Sequence, residues 1–167
     1  MSLLLLFAHR SFENSRLHSA LADAAQKLQG LEFVDLYQHY PTCIIEGSKE
    51  RKRIQNAQAI VLQFPLTWFS PPAIIIEWCD SLFCRSSVSD AQALFKGKTF
   101  ALVTSASCYW DDALLSAEAC LDPLKQSASL AGLHWQTPFI VEKSDKITAD
   151  QVVQRTTEYC TYLRNMR

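Results

Sequence analysis

Short apolar segments alternate along the chain with longer segments in which apolar residues recur every three or four positions. Continuous apolar runs of five to seven residues are typical of strands buried on both faces, as in a parallel sheet. The pattern therefore predicts five strands, at residues 2–8, 31–36, 59–64, 99–105 and 135–141.

The intervening segments carry helix start and stop signals. Ser15 or Asn14 can cap the first helix, which Gly30 ends, and Pro71 or Pro72 suits the first turn of a later one. A loop follows the second strand at residues 37–42. Helices are predicted between residues 15 and 30, from Ser48 to Asn56, from about 71 to 83, from Asp122-Pro123 to Gly132, and at 148–164.

Strands that alternate with helices predict an α/β protein with a parallel sheet between two helical layers. At 167 residues the chain is expected to be a single domain, residues 1–167. This length favours a flavodoxin-like three-layer sandwich with strand order 2-1-3-4-5 over a longer six-stranded arrangement. In that order, ligands bind beyond the carboxyl ends of strands 1 and 3, where the winding direction reverses.

Composition excludes several classes of function. The net charge of −1 and the pI near 6.4 argue against nucleic acid as a partner. The basic cluster at residues 49–53 is expected to be the solvated face of a helix. Six cysteines without CxxC or CxxH spacing predict reduced thiols and no metal site. Without a secretory signal or a membrane-spanning run, a cytoplasmic location is expected.

The loop after strand 1 offers groups that suit an anion. It contains no glycine, so the GxGxxG fingerprint and the P-loop are absent. It does hold His9, Arg10, Asn14 and Ser15 next to a helix N-terminus, which can cradle a terminal phosphate. An ordinary helix cap with a surface histidine explains the loop equally well.

Two further loops reach the same edge of the predicted sheet. Pro65 to Phe69 follow strand 3, and the rings of Trp68 and Phe69 suit a flat conjugated ligand. Packing against the next helix or across a dimer interface is the alternative explanation. The third loop, residues 104–110, is rich in hydroxyl groups and carries Tyr109 and Trp110. Together the three loops favour a flavin site.

The motifs QFPLTWFSPPAIIIEW and LLLFAHRSFENSRLHSAL resemble the NAD(P)H:quinone reductase family of flavodoxin-fold enzymes. TSASCYWDDALL and LAGLHWQTPFIVE are similar to its short branch, the ancillary proteins of glutathione-gated potassium efflux systems. Tyr109 is then the candidate catalytic side chain. The resemblance implies that the flavin is held by His9, Ser15, His18, Pro65, Leu66, Thr67, Trp68, Phe69, Thr104 and Ser105.

The chain departs from the family pattern at four places. Arg10 stands where the family has proline, and His18 where it has asparagine. Residues 104–107 replace a Thr-Thr-Gly-Gly turn, so the backbone approaches the ring less freely. Residues 84–90 replace a Gly-Phe-Ala-Tyr-Gly segment.

The sequence thus predicts an FMN-dependent NAD(P)H oxidoreductase that reduces quinones or similar electron acceptors. FAD is disfavoured because the short chain offers little to hold an adenosine half. The family resemblance also implies a homodimer. The alternative is a regulatory subunit that docks on the cytoplasmic domain of a potassium/proton antiporter, peripheral at the inner membrane, with flavin structural or absent. A flavodoxin-type electron carrier is disfavoured by the weak net charge.

Overall fold

A parallel sheet forms the centre of the molecule in the computed structural model, which describes residues 2–84, 88–107 and 116–166. The order β2-β1-β3-β4-β5 confirms the predicted flavodoxin-like α/β fold, and a further strand, β6, also pairs with β4. The strands are β1 Leu3–Phe7, β2 Leu31–Asp35, β3 Ala59–Pro65, β4 Thr99–Ser105, β5 His134–Trp135 and β6 Phe139–Val141.

The predicted fifth strand is interrupted. β5 and β6 pair with the beginning and the end of β4. The N–H of Gln136 still donates to the Phe100 carbonyl of β4 (2.9 Å), and the pairing is interrupted between that bond and Phe139. Pro138 has no N–H to donate to a neighbouring strand, which explains why one continuous strand does not form.

Helices cover both faces of the sheet, and their boundaries correct four predictions. Pro72 is the N-cap residue of the helix Ala73–Cys79, so neither Pro71 nor Pro72 lies in its first turn. The expected loop after β2 begins with a short helix, in which the N–H groups of Tyr37 and Gln38 donate to the Asp35 carboxylate. Glu46 rather than Ser48 is the N-cap residue of α3, and an additional helix, α5, precedes β4. The helices are α1 Arg16–Gln26, α2 Leu36–His39, α3 Gly47–Asn56, α4 Ala73–Cys79, α5 Val88–Phe95, α6 Asp122–Leu130 and α7 Ala149–Arg164.

Side chains alternate along the strands between two apolar cores. Leu3, Leu5 and Phe7 of β1 face a core shared with α1 and α7. Leu4 and Leu6 face the opposite core, which α3 to α6 close. Successive residues of a strand point to opposite faces of the sheet. The same alternation therefore decides on which face the side chains at the strand ends lie.

One acid of the expected solvent-facing cluster at residues 49–53 lies in the core. Glu50 of α3 is fully buried, and its carboxylate accepts hydrogen bonds from Tyr40 Oη (2.7 Å) and Trp78 Nε1 (2.9 Å). The Arg53 guanidinium completes the cluster. The prediction missed this because Glu50 and Trp78 are 28 positions apart in the sequence. No local pattern shows that the buried indole N–H of Trp78 requires Glu50 as its acceptor.

The helices in the described part of the chain are too short or too polar to cross a membrane.

Candidate flavin site

A cavity of about 1060 Å³ opens at the carboxyl ends of β1, β3 and β4. This is the edge at which the strand order reverses, as predicted for ligand binding in this class of fold. Four separate segments of the chain line this cavity. They contribute His9, Asn14, Ser15, Arg16, His18, Pro65, Leu66, Thr67, Trp68, Phe69, Ser105, Ser107, Ser144, Asp145 and Ile147.

The N-terminus of α1 forms one end of the cavity. Ser15 is the N-cap residue, and its Oγ accepts the N–H of His18 at 3.2 Å. The preceding two helical N–H groups, of Arg16 and Leu17, have no acceptor within the helix because of helix geometry. The positive end of the helix dipole and the Arg16 guanidinium therefore make this end attractive to an anion.

Two imidazoles stand side by side next to this helix end. The ring centroids of His9 and His18 lie 4.9 Å apart. Burial, and to a smaller extent the neighbouring His9, lower the pKa of His18 to about 3. Burial also lowers the pKa of His9, although Glu13 and Asp35 act in the opposite direction. Both rings are therefore neutral at physiological pH, and they contribute hydrogen bonds rather than charge.

His18 is joined to the end of β4. Its Nε2 lies 2.8 Å from Ser105 Oγ, and both side chains are almost completely buried. Thr104, the neighbouring residue of the predicted set, points to the other face of the sheet and donates its hydroxyl to the Phe64 carbonyl at 2.8 Å. Strand alternation thus separates the two hydroxyls, and only that of Ser105 reaches the cavity.

Trp68 and Phe69 occupy the two central positions of a tight turn. The N–H of Thr67 donates to the Ser70 carbonyl (3.1 Å), and the N–H of Ser70 donates to the Thr67 carbonyl (3.2 Å). The φ angles of Trp68 and Phe69 are 53° and 61°. Positive φ at both positions defines the type I′ class, in which asparagine and glycine are normally preferred. The turn therefore holds two large rings in a costly backbone conformation.

This conformation presents aromatic surface at the cavity mouth. The side chain of Trp68 is 90% exposed and that of Phe69 is 45% exposed. The N–H groups of Leu66 and Thr67 are already used, since Leu66 donates to the Ser105 carbonyl (2.9 Å) and Thr67 to Ser70. These two N–H groups are therefore not available to a ligand, whose polar edge must bind other donors of this loop.

The structure brings together nine of the ten residues predicted to hold the flavin, with Thr104 as the exception. Tyr109 lies outside the described residues, as does part of the 84–90 segment. Sequence reasoning did not name Arg16 or the loop after β6, which supplies Ser144, Asp145 and Ile147. The fold contained the signal for that loop, because β6 ends at the same sheet edge as β1 and β3.

Comparison with known proteins gives a consistent picture. A family model described as flavodoxin-like fold matches residues 1–163. The glutathione-regulated potassium-efflux system ancillary protein KefG of Serratia proteamaculans (strain 568) is 28% identical over 179 residues, covering 97% of this chain and 92% of that protein. The KefG protein of Escherichia coli O1:K1 / APEC is 29% identical over 169 residues, with the same coverage.

A solved structure shows how closely the fold is shared. The general stress protein 14 of Treponema denticola, determined in complex with FMN, superimposes with a TM-score of 0.88 at 24% identity, covering 100% of both chains. The family match, the strand order and the sequence relatives agree. The chain belongs to the flavodoxin-like fold family, and within it resembles the ancillary proteins of glutathione-regulated potassium-efflux systems.

Proposed function

We propose that this protein is an FMN-dependent oxidoreductase that takes reducing equivalents from NAD(P)H and passes them to quinones or similar acceptors. The observation that carries the proposal is the composition of one cavity. A helix N-terminus with a guanidinium lies at one end, and the exposed rings of Trp68 and Phe69 lie at its mouth. A phosphorylated ligand with a flat conjugated ring matches both features.

The residues present fit FMN in their chemistry. The free N–H groups at the start of α1, together with Ser15 and Arg16, would hold the phosphate. Pro65, Leu66 and the two rings of the turn would flank the isoalloxazine. When bound, FMN supplies the hydride-transfer chemistry, and the chain supplies orientation and electrostatics.

The size of the cavity suits a two-substrate reaction. Ligand sites in proteins commonly measure about 300–1,000 Å³, and this one, at about 1060 Å³, is slightly larger than that range. The space beside the Trp68 ring would receive the nicotinamide and the acceptor in turn. We further propose that the chain acts as a single domain in a homodimer, whose second subunit covers exposed aromatic surface.

Similar proteins support the proposal at the level of the cofactor. The general stress protein 14 of Treponema denticola was determined with FMN bound. An NADPH-quinone reductase of P. pentosaceus shares the fold with a TM-score of 0.80 at 17% identity, over 97% of each chain.

The visible absorption spectrum tests the proposal. The purified protein is titrated with FMN and then with NADPH or NADH without oxygen. A protein-bound flavin spectrum that bleaches on addition of the nicotinamide is expected, followed by recovery on addition of a quinone. Absence of FMN binding at high added concentration would overturn the proposed cofactor, and bound flavin that no nicotinamide reduces would overturn the proposed reaction.

Variants locate the site. Trp68→Ala and Ser15→Ala are expected to weaken FMN retention more than they alter the rate of flavin reduction. Thr148→Ala is the matched control for Ser15→Ala, because Thr148 caps α7 and does not line the cavity. Both cap substitutions cost about 1 kcal/mol of stability, so a difference between them in FMN affinity belongs to the site. Unchanged affinity in both Trp68→Ala and Ser15→Ala would exclude this cavity.

A second candidate function is regulation of a potassium/proton antiporter by docking on its cytoplasmic domain, at the inner membrane. The similarity to KefG proteins over 97% of the chain favours it. Binding to the purified cytoplasmic domain of such a transporter, measured by calorimetry with and without FMN, tests it. Equal affinity with and without FMN would make the flavin dispensable for docking; no binding in either condition would remove this candidate.

A further inference from the structure

We propose that His18 is a positioning residue that fixes the Ser105 hydroxyl as a hydrogen-bond donor to an uncharged oxygen on the polyol arm of the bound flavin. This inference rests on the proposed function, and it assigns a role to a histidine that stands where the resembled family has asparagine. The argument depends on three features of the described residues: the tautomer of His18, the free hydrogen of Ser105, and the absence of charge around them.

The hydrogen-bond network assigns the tautomer. Nδ1 of His18 is buried and has no partner among the described residues, whereas Nε2 lies 2.8 Å from Ser105 Oγ. A neutral imidazole carries one hydrogen. A buried N–H without an acceptor is rarer in proteins than an acceptor without a donor. The hydrogen therefore belongs on Nε2, and His18 donates to Ser105.

This assignment leaves Ser105 with a hydrogen to donate. Its Oγ accepts the imidazole N–H, and no other group in the described part of the chain is hydrogen-bonded to that oxygen. Ser105 is only 4% exposed, yet it lines the cavity. A buried hydroxyl that faces a ligand site contributes affinity when the ligand supplies the missing acceptor.

The surroundings select a neutral acceptor. Phe7 lies beneath the two imidazoles, with ring centroids 6.3 Å from each, and both imidazoles are neutral. An anionic oxygen buried here would lack a countercharge, and burying an unpaired charge is strongly unfavourable. The phosphate instead finds Arg16 and the helix end at the more exposed side of the cavity. Among the uncharged oxygens of the flavin we assign those of the polyol arm, because His18, which contacts Ser105, lies in the first turn of α1 beside the helix end proposed to hold the phosphate.

Three flavins separate the contributions to binding. Lumiflavin has the ring without the arm, riboflavin adds the polyol, and FMN adds the phosphate. The ratio of the lumiflavin and riboflavin dissociation constants measures the contribution of the polyol arm alone. Ser105→Ala is expected to lower this ratio about tenfold, which corresponds to one buried hydrogen bond.

Substitutions of His18 test positioning against a merely structural role. His18→Leu removes the donor and is expected to lower the ratio as Ser105→Ala does, whereas His18→Gln, which can place an amide N–H near the Nε2 position, is expected to retain it. The double variant His18→Leu/Ser105→Ala is expected to show no further loss, because both residues act through one hydrogen bond. A purely structural role would lower lumiflavin and riboflavin affinity alike and leave the ratio unchanged.

The outcomes distinguish this inference from the proposed function. Failure of wild-type protein to bind any of the three flavins would overturn both. Wild-type FMN binding with an unchanged ratio in Ser105→Ala would overturn only the assigned hydrogen bond. A ratio that falls in Ser105→Ala but not in His18→Leu would show that Ser105 acts without His18, which contradicts the positioning role. If His18→Leu does not fold, His18→Gln must retain the ratio or the inference fails.

Discussion

The protonation state of His18 affects the stability of the folded protein as well as the candidate site. An unfolded histidine titrates near pH 6.5, whereas burial lowers the pKa of His18 in the folded protein to about 3. Between these two values the unfolded chain binds a proton that the folded protein does not. Stability contributed by the neutral ring is therefore present above about pH 6.5 and is lost as the pH falls toward 3.

This linkage gives a measurable difference between two proteins. Wild type is expected to lose about 2 kcal/mol more unfolding free energy than His18→Gln between pH 7.5 and 5.0. Urea denaturation at the two pH values measures it, with His9 present in both proteins so that its own contribution cancels. Parallel losses in the two proteins would contradict the lowered pKa of His18.

At the scale of elements, the turn between β3 and α4 combines strain with exposure. Its two central residues have positive φ angles although neither is glycine. Left-handed conformations cost non-glycine residues about 1–2 kcal/mol each. Because the Trp68 side chain is almost fully exposed, its packing in the isolated chain does little to offset that cost. The Trp68 ring is thus exposed at a cost in folding stability, which is typical of a binding segment.

Two substitutions at Trp68 separate the free-energy cost of the backbone conformation from the contribution of the indole ring. Trp68→Gly and Trp68→Ala both remove the indole, but only glycine adopts the positive φ without steric penalty. The glycine variant is expected to be more stable than the alanine variant by about 1 kcal/mol, measured by urea denaturation without flavin. Equal stabilities, or a more stable alanine variant, would show that the turn is not strained at this position.

Another pair of elements is held together by a buried acid. Glu50 of α3 accepts a hydrogen bond from Trp78 of α4 and one from Tyr40, which follows α2. Removing one member of such a cluster leaves buried polar groups without partners. The cluster therefore fixes helices whose packing positions the Trp68 turn.

Glu50→Ala is expected to destabilise the protein by about 3 kcal/mol, measured by chemical denaturation. Glu46→Ala, at the N-cap of the same helix, is the control, since the Glu46 side chain makes no capping hydrogen bond, is exposed and pairs with Lys49 at 2.8 Å. Exposed ion pairs of this kind contribute less than about 1 kcal/mol. Similar losses in the two variants would contradict a structural role for the buried carboxylate.

At the scale of the whole molecule, ligand binding is expected to stabilise the fold. The cavity joins loops that follow β1, β3, β4 and β6, so a ligand there holds four segments that are distant in sequence. A ligand that binds only the folded state stabilises it by about 2.7 kcal/mol at 100 times its dissociation constant.

FMN at that concentration is therefore expected to raise the melting temperature by roughly 5–10 °C. Thermal unfolding followed by circular dichroism measures the shift, and the dissociation constant comes from absorbance. Ser15→Ala at the same FMN concentration should show a smaller increase. An unchanged melting temperature of wild type under saturating FMN would contradict binding to the folded protein.

The sequence by itself determined the architecture, because hydrophobic periodicity is a local signal. Continuous apolar runs such as that of Leu3–Phe7 indicate strands buried on both faces, and the alternation with helices indicates a parallel sheet. The strand order then places the loops after β1 and β3 at one edge. For this reason the loops at this edge could be named from the hydrophobic pattern, whereas the ten individual residues were implied by the family resemblance, and nine of them line the cavity.

Only the tertiary structure decided features that depend on partners far apart in sequence. The contact of His18 with Ser105 joins residues 87 positions apart, and the burial of Glu50 depends on Trp78, 28 positions away. No local pattern reports such a pair. Even adjacent residues of a strand differed, because the pleat turned Thr104 into the core and Ser105 into the cavity. Side-chain chemistry was readable in the sequence, but which face and which partner each group meets was set by packing.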